Sequence, residues 1–116
     1  MDSSQAGMSR QSRFVAGLIL ILVPTIELGG NFLIRLNTVE TAGFLDNPVR
    51  QNFLRAGHAH AGVLVILALV GLLYVDRATL SEAVRAVVRW SLFAAPLLIS
   101  GGFFGSVGAP SATQPG

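Results

Sequence analysis

Residues 55–76 read RAGHAHAGVLVILALVGLLYVD. Between Arg55 and Asp76 the chain carries no formal charge, and this interval holds both of its histidines, His58 and His60. Residues 56–75 at about 1.5 Å rise each cover the ~30 Å hydrocarbon core of a bilayer as a helix. A helix also satisfies its own backbone hydrogen bonds in a solvent that offers none. This stretch therefore predicts a membrane span, with two imidazoles at the end where the span begins.

Two further segments share this character. Between Arg13 and Arg35 the single charge is Glu27, and from Trp90 onward no charged residue follows. The expected architecture is an all-α integral membrane bundle with three transmembrane helices near residues 14–36, 56–75 and 84–107. One transmembrane domain would cover 14–108, between a disordered polar N-terminus at 1–13 and a flexible tail at 109–116. The N-terminal basic residues precede an apolar run in the manner of a secretory signal. However, Pro24-Thr25-Ile26-Glu27 stands where small cleavage-site residues would follow, so the segment is counted as a span.

Composition agrees. Of 116 residues, 52% are hydrophobic and 12% charged, with a mean hydropathy of +0.63. That leaves too little charge to cover a soluble domain of this size. All eight basic residues are arginine, and they are dispersed, which argues against a nucleic-acid partner. The absence of cysteine excludes disulfides, thiolate metal sites and covalent c-type haem attachment.

The connections carry local signals. Asp46-Asn47-Pro48 predicts a helix start, with Asn47 as cap and Pro48 at the first helical position. Residues 48–55 then read as a short surface helix that bends at Gly57 into the second span. Thr79-Leu80-Ser81-Glu82 reads as a capping box pairing Thr79 with Glu82. The apolar positions that follow repeat opposite Glu82, Arg85 and Arg89, which predicts an amphipathic lead-in. Tyr74 and Trp90 would share one membrane interface. Pro24 is expected to kink the first span, and Pro96 with Gly101-Gly102 to loosen the third. Arg10, Arg13, Arg77, Arg85 and Arg89 against Arg35, Arg50 and Arg55 predict a cytoplasmic N-terminus in a multi-pass protein of the cell's inner membrane.

Polar residues at membrane depth are the candidate site. Glu27 would lie about 10 Å below the outer boundary, and Asn31 and Arg35 follow it along one helix face. His58 and His60 would lie roughly 3 and 6 Å below the same boundary. The shared layer suggests a polar helix-packing cluster of Glu27, Asn31, Arg35 and Arg55 approaching the histidines. Gly29-Gly30 and Gly57, Ala61 and Gly62 would permit close helix contact there. Three uses are open. The cluster could clamp helices, His58 and His60 with Glu27 could hold a metal such as copper or a haem, or Glu27, Asn31 and His60 could conduct a proton or small solute. On a regular helix His58 and His60 are about 200° apart, so both cannot ligate one ion without an irregular turn or a second subunit.

The run R-A-G-H-A-H-A-G-V-L, preceded by L-D-N-P and followed by L-L-Y-V-D, resembles a group of small bacterial integral membrane proteins. The resemblance spans roughly the three apolar segments. It implies a membrane-embedded bundle with a fourth hydrophobic span, so this chain would be an incomplete four-helix unit or would receive a helix from elsewhere. It implies no activity. The H-x-H pair is also similar to the redox-centre helices of haem–copper oxidases, over these residues alone. No hydrolase, metalloprotease, P-loop or dinucleotide motif is present, so the reading leans away from an enzyme. The expected role is an accessory or assembly subunit whose partners are the lipid bilayer and other membrane subunits or further copies of itself. The alternative is a metal- or haem-binding redox protein.

Overall fold

In a computed structural model the chain forms three helices, α1 (Arg10–Thr38), α2 (Pro48–Val75) and α3 (Glu82–Gly105). The structure describes residues 7–38, 44–108 and 111–116, and no strand occurs among them. Each helix is long and apolar enough to cross a membrane. They run up, down and up: Ser12 near the start of α1 meets Asp76 just past α2, and Asn37 near the end of α1 meets Arg55. The α2–α3 interface is the most extensive, and α1 and α3 touch least.

The packing has the sign expected of a protein solvated by lipid. Phe14, Ile21, Leu28, Phe32, Ile66 and Leu98, among other large apolar residues, lie exposed on the outside. The buried apolar core is small: Val15 and Ile19 from α1 against Val65, Ala68, Leu72 and Val75 from α2. In water such an inversion would leave most of the hydrophobic surface unburied. In a bilayer, lipid covers it.

Several local expectations are corrected. Residues 10–13 are the first turn of α1, not part of a disordered tail. What was expected of residues 1–6 lies outside the described residues. Residues 48–55 are no separate surface helix, because α2 runs unbroken through Gly57. The physical reason is packing. Gly57 is buried, and a Cβ there would come 2.7 Å from Cε1 of Phe104, so this glycine admits α3 closely instead of breaking α2. The Asn47–Pro48 start forms as its chemistry dictates, with Asn47 Oδ1 accepting from Arg50 N at 3.2 Å.

The N-cap of α3 is Ser81 and not Thr79. Its Oγ accepts from Val84 N at 3.3 Å. Glu82 thus becomes the first helical residue, and its carboxylate turns to arginines of its own helix. The C-terminal residues 111–116 make hydrogen bonds to the body of the chain. Asn47 Nδ2 donates to Ala112 O at 2.9 Å, and Gly116 N to Ser106 O at 3.1 Å. Residues 109–110 lie outside the described residues. Helices α1 and α3 continue through Pro24 and Pro96.

Candidate functional site

At one end of the bundle the chain builds a polar knot around Arg89. Its side chain is 1% exposed, and all three guanidinium nitrogens donate. Nη2 reaches Asp76 Oδ1 at 2.7 Å, Nη1 reaches Glu82 Oε1 at 2.6 Å and Gln11 Oε1 at 2.5 Å, and Nε reaches Ser12 Oγ at 2.9 Å. Ser12 Oγ in turn donates to Asp76 Oδ1 at 2.9 Å, and Ser9 N donates to Asp76 Oδ2 at 2.8 Å. Burial opposes ionisation of Asp76. The hydrogen bonds from Arg89, Ser9 and Ser12 outweigh it and hold the carboxyl at about 2, below its ordinary 3.8. This knot joins all three helices. The guanidinium supplies the fork that such multiple recognition needs.

Of its members, only Glu82 and Arg89 stand out in the sequence pattern, as parts of a polar helix face. The separations within the knot run from 7 to 78 positions along the chain, so no local pattern connects them. The available signal is the departure of Ser9, Gln11 and Ser12 from apolar character just before a span. Beside the knot, Phe14 meets Trp90 edge-on at 6.4 Å, and Tyr74 and Trp90 are both exposed there.

The other end carries the residues to which the sequence points. His58 is half-buried and turned towards α1. A Cβ on Gly29 would lie 3.5 Å from His58 Nδ1, and one on Gly30 would lie 3.3 Å from both Cε1 and Nε2. His60 turns the opposite way, stacking on Phe103 of α3 with ring centroids 4.7 Å apart. Its Nδ1 lies 2.7 Å from Ala56 O. A carbonyl oxygen can only accept, so Nδ1 is the donor in this contact. The two histidines thus face different helices, as their i, i+2 spacing requires.

Glu27, Asn31 and Arg35 are exposed on the outer face of α1. Leu22, Ile26, Gly29 and Leu33 take the inward face at helical spacing, and the carboxylate is left outside. The expected approach of Glu27 or Asn31 to a histidine therefore does not occur within the chain. Arg55 separates from that stripe as well, and its Nη2 donates to Asn37 Oδ1 at 2.7 Å. Among the described residues no group of three or more His, Asp or Glu side chains is gathered as for a metal ion. Glu27, Asn31 and His60 line no common path in a single chain, because the first two face outward from α1 and the third packs on α3. Comparison with protein-family models, curated proteins and solved structures found no match to this chain.

Proposed function

We propose that this protein is an accessory or assembly subunit of a bacterial inner-membrane complex, or a homo-oligomer, that docks through the outer face of α1. The observation that carries the reading is Glu27. It lies exposed near the middle of a helix apolar enough to cross a membrane, and it has no hydrogen-bond or ion-pair partner among the described residues. A carboxylate facing lipid costs about 2.5–3.5 kcal/mol on insertion scales. A neighbouring helix offering a donor removes that penalty and gives the association its register. Asn31 and Arg35 extend the same stripe towards the end of α1, so a partner would be read along just over two turns. Arginine bias supports a cytoplasmic N-terminus, which places the Arg89 end inside and the His58 end outside.

The chain has no native cysteine, so single-cysteine variants test this cleanly. Asn31→Cys should cross-link in native membranes far more than Leu98→Cys, which sits on the exposed face of α3. Glu27→Leu should reduce the assembly's size in a mild detergent, whereas Glu27→Gln should keep it. Equal cross-linking at both positions, with unchanged size in Glu27→Leu, rejects the reading. Labels at Ser4, Thr41 and Ala78 test orientation, since those at 4 and 78 should react from the cytoplasmic side and that at 41 from outside.

A second reading keeps a specific observation. His60 is exposed with Nδ1 donating to its own helix, which leaves Nε2 as the ring nitrogen not engaged by that bond. A backbone carbonyl holding one ring nitrogen is how proteins commonly orient a ligating histidine. Two copies could offer such a nitrogen to one haem or copper ion. A Soret band or stoichiometric copper in purified protein, lost alike in His60→Gln and His60→Leu, would favour it.

A further inference from the structure

The helices do not close on one another along their whole length. Between Leu22 and Gly29 on α1, His58 and Val65 on α2, and Pro96 and Phe104 on α3 lies a cavity of about 340 Å³. Ser100 also lines it. The residue is 5% exposed, and its hydroxyl has no hydrogen-bond partner among the described residues. A helical serine ordinarily donates to the carbonyl four residues back, and this one does not. His58 borders the same cavity and likewise lacks a hydrogen-bond partner among the described residues.

The lining selects the chemistry of an occupant. It contains no Asp, Glu or Arg, so a charged headgroup would be desolvated with nothing to pair it. Most of the wall is aliphatic or aromatic, which favours an apolar body. The unmet requirement is a buried hydroxyl donor, with an imidazole able to supply a second N–H. A carbonyl oxygen, neutral and able to accept, answers the hydroxyl. The cavity's sides include Leu97 and Phe104, which are also exposed on the outside of the bundle, so access runs laterally from the lipid phase.

We propose that the cavity binds a neutral lipophilic carbonyl compound, whose oxygen accepts from Ser100 Oγ while its chain lies against Leu22, Val65 and Phe104. The carbonyl belongs either to a free ketone-like molecule or to the ester of a membrane lipid, and a choice of bilayer separates the two. The site is distinct from the outer face of α1 invoked for assembly, and it stands whether or not that face docks a partner.

The test uses the full chain in nanodiscs of ether-linked lipid, which contribute no carbonyl, with methyl nonyl ketone as probe and infrared absorption as readout. A saturable C=O band at lower frequency than that of the ketone in protein-free nanodiscs is expected. Ser100→Ala should weaken saturation roughly 3- to 10-fold and return most of the shift. Ala61→Phe, which fills the cavity, should abolish the band, and undecane should compete poorly. In ester-linked nanodiscs, retained binding assigns the site to a free carbonyl compound, and lost binding assigns it to the lipid ester. Absence of a saturable shifted band in the parent overturns the proposal and leaves water as the partner of Ser100. A band unaffected by Ser100→Ala overturns it too, as does equal competition by undecane. Should Ala61→Phe lose helicity, Ser100→Ala alone decides, since alanine is well accommodated in a helix. A larger oligomer change in Ala61→Phe than in Glu27→Leu, without probe binding in the parent, would give the cavity to a neighbouring copy's side chain instead.

Discussion

At the Arg89 end, every nitrogen of a buried guanidinium meets an oxygen, and those oxygens come from residues on or beside all three helices. At the His58 end, an imidazole and a buried serine hydroxyl border a cavity and meet no partner among the described residues. The two ends also differ in how α1 is held. Near Arg89 it contributes Val15 and Ile19 to the core and Ser12 and Gln11 to the knot. Near His58 it rests on two glycines and one hydrogen bond from Arg55 to Asn37. The α2–α3 pair is packed at both ends, with Phe103 edge-on to Phe53 and against the His60 ring where α1 is loosely held. Polar groups that satisfy one another fix a structure, while polar groups left unsatisfied in a low dielectric are available for a ligand. The first end therefore serves as scaffold and the second as candidate site.

The largest expected effect lies at the scaffold end. Arg89→Leu strands Asp76 without its cation and removes the donors that hold Glu82, Gln11 and Ser12. Breaking a buried pair from one side typically costs about 3–5 kcal/mol. Reversible unfolding in mixed micelles should show a loss of that order. Arg89→Lys should recover little, because an ammonium cannot reach three directions from one plane. Adding Asp76→Asn to Arg89→Leu should restore part of the loss, since the stranded charge goes with it. If Arg89→Leu is as stable as the parent, the knot is not what fastens α1 to the hairpin.

A smaller effect follows from the Asp76 carboxyl. Its value in the folded chain is about 2 against an ordinary 3.8, so the unfolded chain binds its proton first as pH falls. The stabilisation is complete above the ordinary value and is lost as pH drops from about 3.8 towards 2. The shift corresponds to about 2 kcal/mol. Unfolding measured across that window should lose about this much in the parent, and Asp76→Asn should remove the dependence. A parent profile flat between these pH values would show that Asp76 gains nothing from Arg89 on folding.

The contrast between the ends also explains what is legible in the sequence. The spans are visible because a charge-free run of bilayer length has one physical solution, and the Asn47–Pro48 start is visible because capping is local. The opposed directions of His58 and His60 follow from helical period alone. The same period assigns Arg89 to a polar face with Glu82 and Arg85. Yet Arg89 is buried and hydrogen-bonded to Gln11 and Ser12 from the start of the chain, and no spacing rule reports a contact of that separation. The glycines at 29 and 30 mark a place of close approach, and they do admit His58. The expectation that Glu27 would come with them fails, because the face bearing Leu22, Ile26 and Leu33 turns inward and carries the carboxylate away. The capping box at Thr79 fails for a smaller reason: Ser81 offers the same oxygen two residues later, which frees Glu82 for Arg89.

The finest distinction between the ends is one of sign in a pair of glycine substitutions. At Gly71, near the scaffold end, an added Cβ would stand 3.0 and 3.2 Å from the two methyls of Leu92, which is packed against the core. Overpacking there costs about 1–3 kcal/mol, more than the roughly 1 kcal/mol that alanine gains over glycine in a helix. At Gly30 the added Cβ would stand 3.3 Å from the His58 ring, which borders a groove lined by Leu33, Ile34 and Asn37 as well as the cavity. With open space on either side, the imidazole can move a few tenths of an ångström, and most of the helix gain should survive. Gly62 supplies the calibration, since a Cβ there meets nothing within 4 Å. Gly62→Ala should therefore be the most stabilised of the three, with Gly30→Ala close behind and Gly71→Ala below the parent. Should Gly30→Ala fall as far as Gly71→Ala, the His58 end is packed as tightly as the Arg89 end, and its unpartnered groups are held there without room for a ligand.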